Sequence, residues 1–188
     1  MPSINTDFLK LLQDDYTQYS CFIETGTSYG GTIFAMEPYF KELHTVEFSE
    51  KYYHLSKNRY NGNKINFILG DSAVVFESLL PTIKEKTIFF LDGHYSSCDT
   101  GQSSKDCPLD EEVTHIHQLF TNEAILIIDD FRLFGVDKSN NIYGCKEDWS
   151  QISKDNLLSI LQSRIQKVYH LDSECAKDDR LIIHIGAK

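Results

Sequence analysis

Basic residues are scarce in this chain: 18 Lys and Arg stand against 28 Asp and Glu, a net charge of −10 over 188 residues. A protein that tracks a phosphate backbone usually shows a basic face, so this balance disfavours a nucleic-acid partner. No apolar run approaches the ~20 residues that span a bilayer. Met1-Pro2-Ser3-Ile4-Asn5 has neither the charged n-region nor the apolar h-region of a secretory signal. The five cysteines are an odd number without tight pairing, and no C-x-x-C spacing occurs. That pattern suggests reduced thiols in a cytosol-like compartment rather than a disulfide framework. The Gly-Lys-Ser/Thr run of a P-loop is missing, as is a G-x-G-x-x-G fingerprint. Internal repeats and low-complexity tracts are absent too. The expectation is a cytoplasmic protein with no membrane or nucleic-acid partner. Its length suits one domain over 1–188, with residues 1–19 forming an N-terminal helix that covers the sheet.

What is present centres on Phe22-Ile23-Glu24-Thr25-Gly26-Thr27-Ser28-Tyr29-Gly30-Gly31-Thr32. A short apolar run ends on a carboxylate, a loop of glycines and hydroxyl residues follows, and Ile33, Phe34 and Phe40 recur at helical spacing. The order strand, tight turn, helix is the first half of a nucleotide-type βαβ unit. The spacing Gly26-x-x-x-Gly30-Gly31 suits an adenosine cofactor without phosphates.

Further strands are predicted over 43–46, 64–69, 87–91, 124–128, 167–171 and 180–185, the first five units alternating with helices. The last two strands are joined by a linker too short for a crossover, so they should form an antiparallel pair at the sheet edge. The fold class is therefore α/β: a doubly wound, seven-stranded Rossmann-like sheet, mostly parallel with an antiparallel last strand. Ser72 reads as the cap of the helix after the third strand.

Carboxylates close five successive strands: Glu24, Glu47, Asp71, Asp92 and the Asp129-Asp130 pair. Each alone reads equally well as a helix cap or a strand terminator. Together they mark the edge where open α/β sheets bind ligands. Glu47 lies about 20 residues beyond the glycine loop, where an acidic residue accepts ribose hydroxyls. Asp71 is placed to accept from an adenine amine. Glu24 and the loop amides around Gly26 and Ser28 would face the amino-acid end of a ligand such as S-adenosylmethionine. A carboxylate suits an ammonium there and would repel a pyrophosphate.

Glu24-Thr25-Gly26-Thr27-Ser28-Tyr29-Gly30, with Glu47 and Gly70-Asp71-Ser72, resembles the first three motifs of class I S-adenosylmethionine-dependent methyltransferases. Leu91-Asp92-Gly93-His94-Tyr95 and Ile127-Ile128-Asp129-Asp130-Phe131 resemble the acidic metal motifs of the macrocin O-methyltransferase type, which methylates sugar hydroxyls. The resemblance implies cofactor contacts from Glu24, Gly26, Thr27, Ser28, Gly30, Thr32, Glu47, Asp71, Ser72 and Asp92. It implies a divalent cation, Mg²⁺ or else Mn²⁺ or Ca²⁺, on Asp92, Asp129 and Asp130. His94 stands where those enzymes commonly carry an acid.

The chemistry fits these residue types. A sulfonium methyl is already electrophilic, whereas a sugar hydroxyl is a poor nucleophile that a cation would acidify and orient. Asp92 or His94 is placed to take its proton. His94 reads equally as a ring pinned by a backbone carbonyl, and Asp129-Asp130 as caps of local turns. A zinc site from His94, Cys98 and Cys107 lacks the usual spacing. Phe131, Tyr143 and Trp149 could stack on a sugar or belong to the core, and the 96–107 stretch could be a lid or an ordinary loop. The expected activity is methylation of a sugar or glycan hydroxyl, for instance on a deoxyhexose such as rhamnose. The chain would act as a homo-oligomer or within a larger glycan-processing protein. A metal-dependent hydrolase using Asp92, His94, Asp129 and Asp130, or a non-catalytic cofactor-binding module, are the rival readings.

Overall fold

The computed structural model describes residues 3–94, 107–137 and 147–188. The chain order is α1 (Thr6–Leu9), β1 (Cys21–Thr25), α2 (Gly31–Met36), β2 (Glu42–Glu47), α3 (Glu50–Arg59), β3 (Ile65–Leu69) and α4 (Ser72–Leu79), then β4 (Thr87–Leu91), α5 (Leu109–Leu119), β5 (Ala124–Ile128), α6 (Lys154–Leu161), β6 (Ile165–Leu171) and β7 (Arg180–Ile185). The strands form one seven-stranded sheet in the order β3-β2-β1-β4-β5-β7-β6. β1 through β5 pair in parallel, while β7 runs antiparallel to both β5 and β6. The doubly wound sheet and the antiparallel final strand are as the sequence predicts.

The place of β7 inside the sheet follows from its composition. Leu181, Ile182, Ile183 and Ile185 are fully buried between two neighbours. In β6, Gln166 and Lys167 break the apolar pattern, and this strand takes the edge where polar side chains protect unpaired backbone. The central strands β1, β4 and β5 are buried along their whole length, as parallel strands covered on both faces must be. Alternation then splits the core. Ile23, Phe89 and Leu126 face Phe76 of α4, Val113 and Ile116 of α5 and Leu157 of α6. Phe22, Phe90 and Ile127 face Phe8 and Leu9 of α1 and Ile33 and Met36 of α2.

The N-terminal segment covers the sheet but is not one helix. The Asn5 side chain caps α1 by accepting from Asp7 N and Phe8 N, and the helix ends after a single turn. Asp14 is drawn off to His184 at 2.6 Å and to Lys167, and Asp15 caps a separate 3₁₀ turn at Tyr16–Gln18. Two side chains that hydrogen-bond outside the helix thus break the predicted run. A second correction concerns α4: Asp71, not Ser72, is its cap, accepting from Ala73 N at 3.0 Å.

No helix among the described residues is long and apolar enough to cross a membrane.

Candidate active site

The sheet reverses its winding between β1 and β4, and the loops after these two strands meet there. Asp92 N donates to Thr25 O at 3.3 Å. Gly26 has φ +83, and a Cβ on it would lie 2.3 Å from the Asp92 carbonyl oxygen, so this approach requires glycine. Two cavities of about 230 and 300 Å³ adjoin at this point and share Ser3, Gly26, Ser28 and Asp92 in their walls. They form one cleft outside the C-terminal edge of the sheet, where open α/β folds bind ligands.

The inner half is lined by Val46, Glu47, Phe48, Tyr52, Gly70 and Ser72, and its described lining includes no lysine or arginine. Glu47 Oε2 accepts from Ser28 N and Oε1 from Ser49 N, both at 2.8 Å. Burial pushes its carboxyl up, and these amides oppose that. The amides of Phe48 and Thr27 also favour its charged form. Beneath the loop Glu24, buried at the end of β1, accepts from the Thr45 hydroxyl at 2.7 Å. Burial pushes its carboxyl to about 8, with the Glu47 charge adding to the rise.

Some expected contacts are spent inside the protein. The amides of Gly26 and Ser28 donate to Val46 O and Glu47, so neither faces a ligand as the sequence suggested. Thr27 bonds Thr45 through hydroxyls 2.5 Å apart, Thr32 accepts from Ser3 N, and Gly30 caps α2. Ser72 lines the inner half, its hydroxyl donating to Glu112 at 2.5 Å. Glu112 is itself fully buried, and that burial pushes its carboxyl to about 7.

At the mouth of the cleft His94 stands between two carboxylates. Nδ1 lies 3.5 Å from Asp92 and Nε2 lies 3.2 Å from Asp130. Glu147 comes within 4.0 Å of Nε2, and Trp149 packs edge-on against the ring at 5.1 Å. Burial first, then the charges of Asp129, Asp130 and Glu24, push the Asp92 carboxyl well above the usual carboxylate range. Asp92, His94 and Asp130 bring ligand atoms within 4.8 Å of one another. Asp129 belongs instead to a second such group, with Asp130 and Asp179, and is buried and paired with Arg180 Nε at 3.2 Å. Asp130 adopts a left-handed φ of +57, unusual outside glycine, and is held by Arg132 at 2.5 Å. Arg132 in turn pairs with Asp179, from the turn before β7.

Trp149 is 3% exposed and sits between His94 and Phe134, so it serves the core and not a sugar face. Cys107 is likewise a core residue. Cys98, Tyr143 and most of the 96–107 stretch lie outside the described residues. Phe48 and Tyr52 were missed in the sequence, although Phe48 follows Glu47 directly. Arg132, Glu147, Asp179 and Arg180 were missed as well, and only tertiary contact connects them to the site.

No protein-family model matches the sequence, and no curated protein matches it. Solved structures do. The O-methyltransferase TomG from Streptomyces achromogenes, involved in tomaymycin synthesis and solved with S-adenosylmethionine, superposes with a TM-score of 0.62 at 13% identity, over 92% of this chain and 75% of that one. The N-methyltransferase NodS from Bradyrhizobium japonicum WM9 gives 0.60 at 12% identity, over 97% and 93%. NodS is also solved with S-adenosyl-L-homocysteine. The fold is that of the S-adenosylmethionine-dependent methyltransferases. The seven-stranded, mostly parallel sheet with its antiparallel β7 is what this chain shares with that fold.

Proposed function

We propose that this chain transfers a methyl group from S-adenosylmethionine to a hydroxyl of a sugar or glycan. The observation that carries the reading is the inner half of the cleft. There a diol-accepting carboxylate, Glu47, sits among apolar and aromatic side chains with no described cation to bind phosphate. An adenosine without phosphates fits such a pocket, whose described lining offers a pyrophosphate no lysine or arginine.

The acceptor end lies at Asp92, His94 and Asp130. Hydroxyl groups donate to carboxylates, so a polyhydroxylated acceptor suits this rim better than an anionic one. In the reaction the acceptor oxygen forms a bond to the methyl carbon as the sulfonium–carbon bond breaks, leaving S-adenosylhomocysteine. The hydroxyl proton passes to His94, whose ring is oriented by the carboxylates on either side. The protein's remaining contribution is alignment of oxygen, carbon and sulfur.

Two carboxylates and an imidazole converging this closely also fit a divalent cation, with Asp92, His94 and Asp130 as the residues that would hold it. When bound, such an ion would acidify the acceptor hydroxyl and so supply the activation otherwise asked of His94. Asp129 is committed to Arg180 and is left out of this set.

Calorimetric titration with S-adenosylhomocysteine, followed by transfer of labelled methyl from S-adenosylmethionine to deoxyhexose acceptors, tests the reading. Saturable binding and label in the sugar are expected. Absence of binding would sink the proposal and favour hydrolytic chemistry at the same carboxylates.

A further inference from the structure

We propose that Arg59 makes the outer half of the cleft a receptor for an amino-acid zwitterion by binding the carboxylate at the methionine end of the cofactor. The inference rests on the cofactor reading above. It starts from a shortage of donors. A methionine end brings one ammonium and one carboxylate, and the carboxylate needs a cation or free N–H groups. The loop beside it does not offer the obvious ones: Gly26 N donates to Val46 O, Ser28 N to Glu47 and Gly30 N to Thr27 O.

Arg59 is the one arginine or lysine among the residues described as lining the outer cavity of about 300 Å³, and the described lining of the inner half has neither. The side chain comes from the last turn of α3 and is exposed at the rim, whereas Glu24 lies buried. One N–H, from Nη1, donates to Tyr29 O at 2.8 Å, and the guanidinium lies 5.9 Å from the Phe34 ring centroid. These contacts hold the group to the glycine loop while most of its five N–H donors stay directed elsewhere. A planar fork held in this way matches a carboxylate by two parallel hydrogen bonds.

One cavity then holds an acceptor for the ammonium, Glu24, and a cation for the carboxylate, Arg59, while the described lining of the adjoining cavity has no lysine or arginine. That asymmetry fixes which end of the ligand enters which half. It also selects against adenosine thioethers that lack the amino-acid group.

The test compares S-adenosylhomocysteine with 5′-methylthioadenosine, which keeps the nucleoside and lacks both charges. In calorimetry at low ionic strength, Arg59→Ala should weaken S-adenosylhomocysteine binding roughly tenfold to a hundredfold. The same variant should leave 5′-methylthioadenosine binding unchanged, and Arg59→Lys should fall between wild type and alanine for the zwitterion. Unchanged affinity for S-adenosylhomocysteine in Arg59→Ala, or an equal loss for both ligands, would overturn the inference while the cofactor reading stands. If neither ligand binds the wild-type chain, the cofactor reading fails and this inference fails with it.

Discussion

The Thr45 hydroxyl on β2 donates to Glu24 on β1 at 2.7 Å, and it is the hydrogen bond that lowers the carboxyl against its burial. A buried acid with so little support prefers its proton. Glu24 is raised to about 8 and Glu112 to about 7, both chiefly by burial, from an ordinary 4.5. The folded state therefore binds more protons than the unfolded chain between pH 4.5 and about 8. Stability from these groups is complete below pH 4.5 and is lost as pH rises through their folded values. Melting temperature should fall across that window. Glu24→Gln and Glu112→Gln should each flatten the decline, and a slope unaltered in both variants would contradict the assignment.

On the proposed reading Glu47 accepts from the ligand, and it also anchors Ser28 N and Ser49 N. Glu47→Ala should lower affinity for S-adenosylhomocysteine roughly tenfold to a hundredfold, since hydrogen bonds to a charged group contribute about 1.5–3 kcal/mol. Glu47→Gln keeps one acceptor oxygen and should lose less. Equal affinities in calorimetry for wild type and both variants would remove Glu47 from the site.

Gly26 and Gly135 separate backbone strain from steric conflict. Both have positive φ, at +83 and +75, but only Gly26 has a neighbour in the way, the Asp92 carbonyl at 2.3 Å. Gly135→Ala should cost about 1–2 kcal/mol from conformation alone and leave binding intact. Gly26→Ala should cost more and abolish S-adenosylhomocysteine binding, because the Asp92 backbone must move. Denaturant unfolding and calorimetry on the two variants provide the check.

Asp129 and Asp130 are neighbours in sequence with different partners. Asp129→Asn leaves Arg180 buried without its counter-charge and should destabilise the fold by about 3 kcal/mol. Mn²⁺ affinity, read by electron paramagnetic resonance, should survive that change. Asp130→Asn should lower Mn²⁺ affinity roughly tenfold or more, as removal of a ligand does. Loss of Mn²⁺ binding in Asp129→Asn, at a temperature where the variant is folded, would restore Asp129 to the cation set.

Much of the fold was legible because its causes are local. Fully apolar runs such as Ile125-Leu126-Ile127-Ile128, punctuated by acids and glycines and alternating with helical spacing, specify a covered parallel sheet. The short link between the last two strands specifies their antiparallel pairing. The N-terminal helix was misread because nothing near Asp14 in the chain reveals its partner His184, which lies 170 residues away. The same limit applies to Asp71: a carboxylate before a helix can cap it or face a ligand, and position alone does not choose.

The sequence by itself determined that acidic side chains would gather at one edge of a doubly wound sheet, because the β-α alternation and the strand endings are set by local pattern. Tertiary structure decided which of those acids remain available. Arg180 claims Asp129, α4 claims Asp71, and the loop amides claim part of Glu47. Asp92 is left facing His94, and Asp130 faces the same ring while paired with Arg132. A carboxylate's role depends on which opposite charge or donor lies within about 4 Å of it, and that distance exists only once the chain has folded.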